Sequence, residues 1–98
     1  VVDCLRIDAQ QRTVWFETKE VDLTTAEFEL LYFLASDAGN VLRRQVIFQE
    51  IMGMRYDGLD RSLHHRISRL RKKLGDDSTA PRKIKSIRGV GYMLSTEL

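Results

Sequence analysis

The sequence has little cysteine and no long apolar run, and each shortage excludes a class of protein. Its single cysteine, Cys4, cannot form a disulfide within the chain, so folding does not depend on oxidation and the chain suits a reducing cytoplasm. No segment approaches the roughly 18 consecutive apolar residues of a transmembrane helix, and no basic-then-apolar signal peptide opens the chain. Because Val1 stands where an initiator methionine would, we expect a fragment of a longer protein.

The chain of 98 residues suffices for one compact domain, 1–98, and its charge is divided unevenly. The net charge is only +2, but residues 1–59 hold six basic and ten acidic side chains, whereas residues 60–98 hold ten basic and four acidic ones. This asymmetry indicates that one end of the domain meets a polyanion. A solvated basic surface would explain the same charges, so charge alone leaves both interpretations open.

The first third of the chain predicts a small antiparallel sheet and then a helix. Short apolar or β-branched runs separated by polar residues are typical of strands, and they occur near 5–8, 13–16 and 19–23. Thr24 and Glu27 have the spacing of a capping box, which begins a helix. Gly39 is expected to end this helix, because glycine tolerates a left-handed conformation. The apolar residues at helical spacing are Phe28, Leu30, Leu31, Leu34 and Ala35.

The middle of the chain predicts a second helix from about Arg43 to Met52, ended by Gly53. Val41 and Leu42 are expected to form a short extended link before it. The composition of the segment GMRYDG, residues 53–58, is that of a loop. The predicted buried residues of the second helix are Val46, Ile47, Phe48 and Ile51.

A third helix and a terminal hairpin complete the predicted order. The helix begins near Asp60, a good N-cap residue, and ends at Gly75. Residues 83–94 form two strands around a turn at Gly89-Val90-Gly91. A sheet, three helices and a hairpin describe an α+β fold, a winged helix-turn-helix with an N-terminal antiparallel sheet and a C-terminal β-hairpin wing.

The third helix is apolar on one side and basic on the other. At about 100° per residue, Leu63, Ile67, Leu70 and Leu74 form one narrow stripe that faces the core. The opposite side carries Arg61, His65, Ser68, Arg69 and Lys72, with Arg66, Arg71 and Lys73 on the flanks. Such a helix is solvated, lies on a membrane or enters a nucleic-acid groove. Membrane binding is disfavoured because the apolar stripe has no Trp or Phe to insert into lipid, and because the core of the domain needs that stripe.

We expect this helix to read the major groove, which is wide enough for one helix. Arg69 lies near the centre of the exposed side and is the candidate base reader, with His65 and Ser68 beside it. The alternative for Arg69 is a phosphate contact. Arg61, Arg66 and Arg71 are expected to bind phosphates, which gives affinity and register rather than sequence preference.

No constellation of residues indicates catalysis, a cofactor or a metal. His64 and His65 are adjacent on a helix and therefore point about 100° apart, so they do not share one ion. The RGVGY segment is flanked by strands and lacks the helix that a dinucleotide fingerprint requires. We therefore expect a chain that is not an enzyme and that has no cofactor and no metal site.

Three segments together resemble the OmpR/PhoB family of response-regulator effector domains. They are LTTAEFELLYFLASDAGNVL, DRSLHHRISRLRKKLGDD and IKSIRGVGYML, and the resemblance covers essentially the whole chain. The segment YDGLDRS looks most like the RstA subgroup. The resemblance implies a four-stranded N-terminal sheet, three helices and a hairpin. It also implies a receiver domain, absent here, that a sensor kinase phosphorylates.

The resemblance implies sequence-specific binding of double-stranded DNA and transcription regulation in the cytoplasm, on direct repeats and as a homodimer. It places the recognition helix at 60–75, the wing at 83–94 near the minor groove, and an RNA polymerase contact in loop 53–59. Gly89 and Gly91 would serve the hairpin turn, and Tyr92 would anchor the hairpin to the core. The residues expected at DNA are Arg61, Ser62, His65, Arg66, Ser68, Arg69, Arg71, Lys72, Ser86 and Arg88.

The sequence departs from the family pattern at two places, and two other functions stay open. Leu63-His64-His65-Arg66 replaces the common Val-Asp-Val-His, so base preference does not follow from the resemblance. Arg43 stands where a Ser cap is common. A basic helix that binds an acidic protein partner is one alternative. RNA binding is the other, and it is disfavoured because most aromatic residues lie in core-like patterns.

Overall fold

The computed structural model describes residues 5–53, 62–76 and 83–96. Three helices and six strands occur in these ranges. In chain order they are β1 (Leu5–Asp8), β2 (Thr13–Phe16), β3 (Lys19–Val21), α1 (Thr25–Ala35), β4 (Leu42–Arg43), α2 (Arg44–Met52), α3 (Ser62–Leu74), β5 (Ile84–Ile87) and β6 (Gly91–Leu94). The winged helix-turn-helix predicted from the sequence is confirmed.

The N-terminal sheet contains β1, β2 and β3 in sequential antiparallel order. Leu5 lies opposite Phe16 and Asp8 opposite Thr13, so the first hairpin turns at residues 9–12. The Asp8 carboxylate accepts hydrogen bonds from the backbone amides of Gln10 and Gln11, which stabilises that turn locally. The fourth strand that the family resemblance implies is not among the described residues.

Helix α1 begins with the predicted capping box. The Thr24 hydroxyl accepts a hydrogen bond from the Glu27 amide, and the Glu27 carboxylate accepts one from the Thr24 amide. The expected end of α1 at Gly39 is wrong, because the helix ends at Ala35 and a turn follows. Gly39 adopts a φ of +87° at the end of that turn, where its amide donates to the Leu94 carbonyl. Gly39 therefore directs the chain toward the wing sheet rather than capping α1.

Helix α2 differs from its prediction at three points. It begins at Arg44, because Arg43 is extended and serves as an N-cap without a side-chain hydrogen bond. Val46, expected in the core, is 44% exposed, whereas Ile47 and Phe48 are buried. The expected link at Leu42 is part of a strand, because β4 pairs with β6. Pairing of residues distant in the chain decided that strand, and no local pattern encodes it.

The wing is a three-stranded antiparallel sheet in the order β4-β6-β5. The hairpin turn consists of residues 88–90, with Gly89 at a φ of +76°. Gly91, expected in the turn, is instead the first residue of β6 and lies opposite Arg43. A Cβ atom on Gly91 would lie 1.9 Å from the Leu42 carbonyl oxygen, so the close approach of β4 requires glycine there. Tyr92 is buried at 7% exposure, which confirms its predicted anchoring role.

One apolar core joins the three helices to both sheets. Its members include Leu5 and Val14 from the N-terminal sheet, Ile84 and Leu94 from the wing, and residues from each helix. The α3 stripe predicted from helical phasing is buried throughout. Within the described ranges, no helix is long and apolar enough to cross a membrane. The core uses the apolar side of α3 and leaves its basic side exposed.

Candidate nucleic-acid interface

Helix α3 presents a polar and basic face opposite its buried stripe. Leu63, Ile67, Leu70 and Leu74 are at most 4% exposed. On the opposite side His65, Arg69 and Lys72 are exposed, and Ser62 and Ser68 are partly exposed. His65 and Arg69 are four residues apart and Lys72 follows three later, so their side chains form one continuous stripe. Arg69 is therefore accessible at the centre of this exposed face, which the base-reading role predicted from the sequence requires.

The basic side chains on the two flanks of α3 have different surroundings. Arg66 is partly exposed. Lys73 donates a hydrogen bond to the Glu27 carboxylate with an Nζ–Oε1 distance of 2.7 Å. Burial raises the pKa of Glu27, but the hydrogen bonds from Lys73 and Thr24 and the charge of Lys73 outweigh burial, so that pKa lies below its ordinary value. This pair joins α3 to the first turn of α1, and no local sequence pattern indicates it because its two residues are 46 positions apart.

Arg71 is a correction to the predicted phosphate contacts. Its side chain is buried, with the residue 4% exposed, and its Nε and Nη2 atoms donate to the Ile84 carbonyl oxygen at 3.0 and 2.8 Å. Nη2 also donates to the Ser86 hydroxyl at 2.7 Å. At 80° from Leu63 on the helical wheel, Arg71 borders the apolar stripe, and the wing sheet covers that border. Arg71 therefore joins α3 to the wing instead of reaching DNA directly.

The buried guanidinium of Arg71 remains charged. Burial lowers its pKa, while electrostatic interactions with Tyr92 and Asp76 act in the opposite direction. An arginine is not deprotonated in proteins under ordinary conditions. Its carbon Cζ lies 5.9 Å from the centroid of the Tyr92 ring, a cation–π arrangement within the core side of the wing.

The end of α3 is held against the start of β5. The amides of Gly75 and Asp76 donate to the carbonyls of Lys72 and Arg71, the pattern of a Schellman motif, with Gly75 at a φ of +73°. The Asp76 carboxylate then accepts hydrogen bonds from the amides of Lys83 and Ile84. Lys83 Nζ returns to the Leu74 carbonyl at 2.9 Å. These bonds fix the start of β5 against the end of α3.

The wing carries exposed polar residues beside α3. Ser86 on β5 and Arg88 in the turn are both exposed, as their predicted positions near DNA require. Lys85 on β5 is also exposed, and sequence analysis did not select it, although its alternation with the buried Ile84 was visible. Because Arg71 links Ser86 to α3, the wing and α3 form one unit.

Several predicted features lie outside the described residues. They are Cys4, the helix start at Asp60, Arg61, and residues 54–59 of the loop assigned to RNA polymerase. Gly53, the first residue of that loop, ends α2 in a left-handed conformation at a φ of +67°. Among the described residues, no group of three or more His, Cys, Asp or Glu could hold a metal ion.

The family described as "Transcriptional regulatory protein, C terminal" matches residues 18–94. The chain belongs to this family. The transcriptional regulatory protein RstA of Escherichia coli K12 is 45% identical over 91 residues, which are 93% of this chain and 38% of that protein. The CpxR protein of the same strain is 37% identical over 93 residues, 95% of this chain and 40% of that protein. The chain thus spans about two fifths of the length of these relatives.

Comparison with a solved structure supports the same winged-helix effector-domain family. The crystal structure of the Klebsiella pneumoniae RstA DNA-binding domain in complex with the RstA box has a TM-score of 0.93 and 41% identity. The match covers 96% of this chain and 93% of that one. The predicted resemblance to OmpR/PhoB-type effector domains, and to RstA among them, is confirmed. The chain is therefore similar over nearly all of its length to a domain that was solved on DNA.

Proposed function

We propose that this chain binds double-stranded DNA sequence-specifically and regulates transcription as the effector domain of a two-component response regulator. The observation that carries the proposal is the exposed stripe of His65, Arg69 and Lys72 on a helix whose other side is buried. A rigid helix with exposed donors on one side has the size and chemistry of a major-groove reader. Similarity to the Klebsiella RstA domain, solved with the RstA box, supports the same role.

Within this function, Arg69 reads a base and the other cations of α3 set affinity. An exposed arginine can donate two hydrogen bonds to O6 and N7 of guanine. His65 and Ser68 lie beside Arg69 and contact the neighbouring base edges or phosphates. Ser62, Arg66 and Lys72 contact phosphates at the edges of the groove, together with Arg61, which precedes the helix.

The wing contacts DNA next to the recognition helix. Arg88 is exposed in the hairpin turn, where an arginine fits the minor groove or its phosphates. Ser86 is exposed on the adjacent strand and is linked to α3 through Arg71. The helix and the wing therefore approach DNA as one body, with the helix in the major groove and the wing near the minor groove.

The remaining partners follow from the family and are part of the proposal. A receiver domain precedes this domain in the whole protein, and a sensor kinase phosphorylates it. Two copies bind direct repeats as a homodimer on DNA, and loop 53–59 contacts RNA polymerase. The chain acts in the cytoplasm, has no enzymatic activity and needs no cofactor, because the exposed surface of α3 supplies donors for DNA rather than a catalytic constellation.

A salt titration on two duplexes tests the proposal. One duplex carries the RstA box of the Klebsiella relative, and the other carries the same bases in scrambled order. We expect tighter binding to the first and a slope of about −4 for log K against log salt, from roughly −0.9 per neutralised phosphate. Site selection from random DNA follows if both duplexes bind equally. Affinity that is insensitive to salt, or no binding to any duplex, contradicts the proposal.

A further inference from the structure

Arg71 and Ser86 form the polar junction between the recognition helix and the wing. The Nη2 atom of Arg71 uses one of its two hydrogens on the Ile84 carbonyl and the other on the Ser86 hydroxyl. The Nε–H bonds to the same carbonyl. The residue is 4% exposed, so the fork is held inside the domain while Ser86 stays exposed. The buried guanidinium of Arg71 is thus hydrogen-bonded to the solvent-accessible hydroxyl of Ser86.

The geometry determines which hydrogen-bonding capacity Ser86 retains. A serine hydroxyl has one O–H donor and two acceptor lone pairs. Arg71 occupies a lone pair of Ser86, and within the described ranges the Ser86 hydroxyl donates to no other group. A phosphate oxygen is an acceptor only, so the remaining donor matches it. A positive charge on the acceptor side of a hydroxyl polarises the O–H group and strengthens its next hydrogen bond.

We propose that Arg71 is a positioning residue for DNA binding that acts through Ser86: its guanidinium fastens the wing to α3 and holds the Ser86 hydroxyl as a donor to a DNA phosphate. The inference rests on the proposed DNA binding. It differs from a direct Arg71–phosphate contact, because the charge of Arg71 neutralises no phosphate and its effect disappears when the Ser86 hydroxyl is removed.

Binding of the RstA-box duplex by Arg71→Lys, Ser86→Ala and the double variant of the 98-residue chain tests this inference. Lysine keeps the charge but not the planar two-nitrogen fork. We expect each single variant to lose about three- to tenfold in affinity, the equivalent of one hydrogen bond. The double variant loses no more than the larger single loss, and the salt slopes of all three equal that of the wild type.

Two matched variants separate this mechanism from the alternatives. Ser86→Thr keeps the hydroxyl and therefore loses less affinity than Ser86→Ala, whereas Lys72→Met removes an exposed cation and reduces the magnitude of the salt slope by about 0.9. Circular dichroism verifies that each variant is folded. Because Ser86 is exposed, Ser86→Ala can overturn the inference even if an Arg71 variant does not fold. Wild-type affinity of Ser86→Ala, or losses that multiply in the double variant, overturns the inference. Absence of duplex binding by the wild type overturns the proposed function as well.

Discussion

Arg71 donates two hydrogen bonds, at 3.0 and 2.8 Å, to the carbonyl oxygen of Ile84, which opens the edge strand of the wing. An edge strand presents backbone groups that no neighbouring strand pairs. The guanidinium supplies a donor there, and it does so from α3. The attachment of the wing to α3 therefore depends on this side chain.

Replacing Arg71 should destabilise the fold, whereas replacing its neighbour should not. Arg71→Met leaves the buried Ile84 carbonyl without this donor, and we expect a loss of about 1–3 kcal/mol in the free energy of unfolding. Lys72→Met removes one charge from the exposed side of the same helix, and its effect should stay within about 0.5 kcal/mol. Urea unfolding of the two variants measures both values. Equal losses would contradict the buried role of Arg71.

Arg69→Ala should reduce sequence preference rather than affinity alone. A bidentate arginine–guanine contact discriminates between bases by roughly 1–3 kcal/mol, so its loss should flatten preference at one base pair. Lys72→Ala is the control, because a phosphate contact weakens binding to every sequence alike. Affinity for the preferred duplex and for its single-base variants separates the two effects. If Arg69→Ala weakens specific and scrambled duplexes equally, Arg69 is a phosphate contact.

The Glu27–Lys73 pair should make stability depend on acidic pH. The folded-state pKa of Glu27 is lowered, so its contribution is fully present above the unfolded value, about 4.3 for glutamate, and is lost as pH falls through the folded pKa. Glu27→Gln should cost about 1 kcal/mol at neutral pH, the magnitude of a helix cap, and should flatten the stability profile below about pH 4.3.

Glu29→Gln provides the control for that experiment. Glu29 is on the same helix, but its ion pair with Arg12 spans 3.5 Å between side chains that are about half exposed. Exposed pairs contribute little to stability because solvent screens them. Urea unfolding at a series of pH values compares the two variants with the wild type. A Glu27→Gln profile as steep as that of Glu29→Gln is incompatible with this account.

Gly91→Ala should be more harmful than Gly89→Ala. An alanine Cβ at position 91 would meet the Leu42 carbonyl oxygen at 1.9 Å, and two paired backbones cannot separate without breaking the β4–β6 pairing. We expect a loss of about 3 kcal/mol, the upper end for overpacked sites. At position 89 the surroundings are open, and only the φ of +76° opposes alanine, at a cost of about 1–2 kcal/mol. Thermal unfolding of both variants should rank them in this order.

Local patterns in the sequence were sufficient to predict that three helices exist and which side of α3 is exposed. The capping box at Thr24 and Glu27 depends on residues three apart, and it formed as predicted. The α3 stripe depends only on helical phasing, so the exposed positions of His65, Arg69 and Lys72 followed directly. Family resemblance added the expected DNA contacts of the wing, and the residues it named, Ser86 and Arg88, are exposed.

Tertiary packing decided the features that depend on what covers each surface. Val46 and Ile47 are adjacent and chemically similar, yet one is 44% exposed and the other is fully buried, because only one side of α2 meets the core. Gly91 is required by the approach of β4, a strand 48 positions earlier in the chain. The sequence predicted Arg71 as a phosphate contact, but in the folded domain the wing sheet covers its side chain.

The sequence by itself thus determined that α3 has an apolar side and a basic side, since both are properties of a single helix. Only the tertiary structure decided which cations on that helix are free. Arg71 became a link to Ile84 and Ser86, and Lys73 became the partner of Glu27, because folding brings these donors to acceptors from distant segments of the chain.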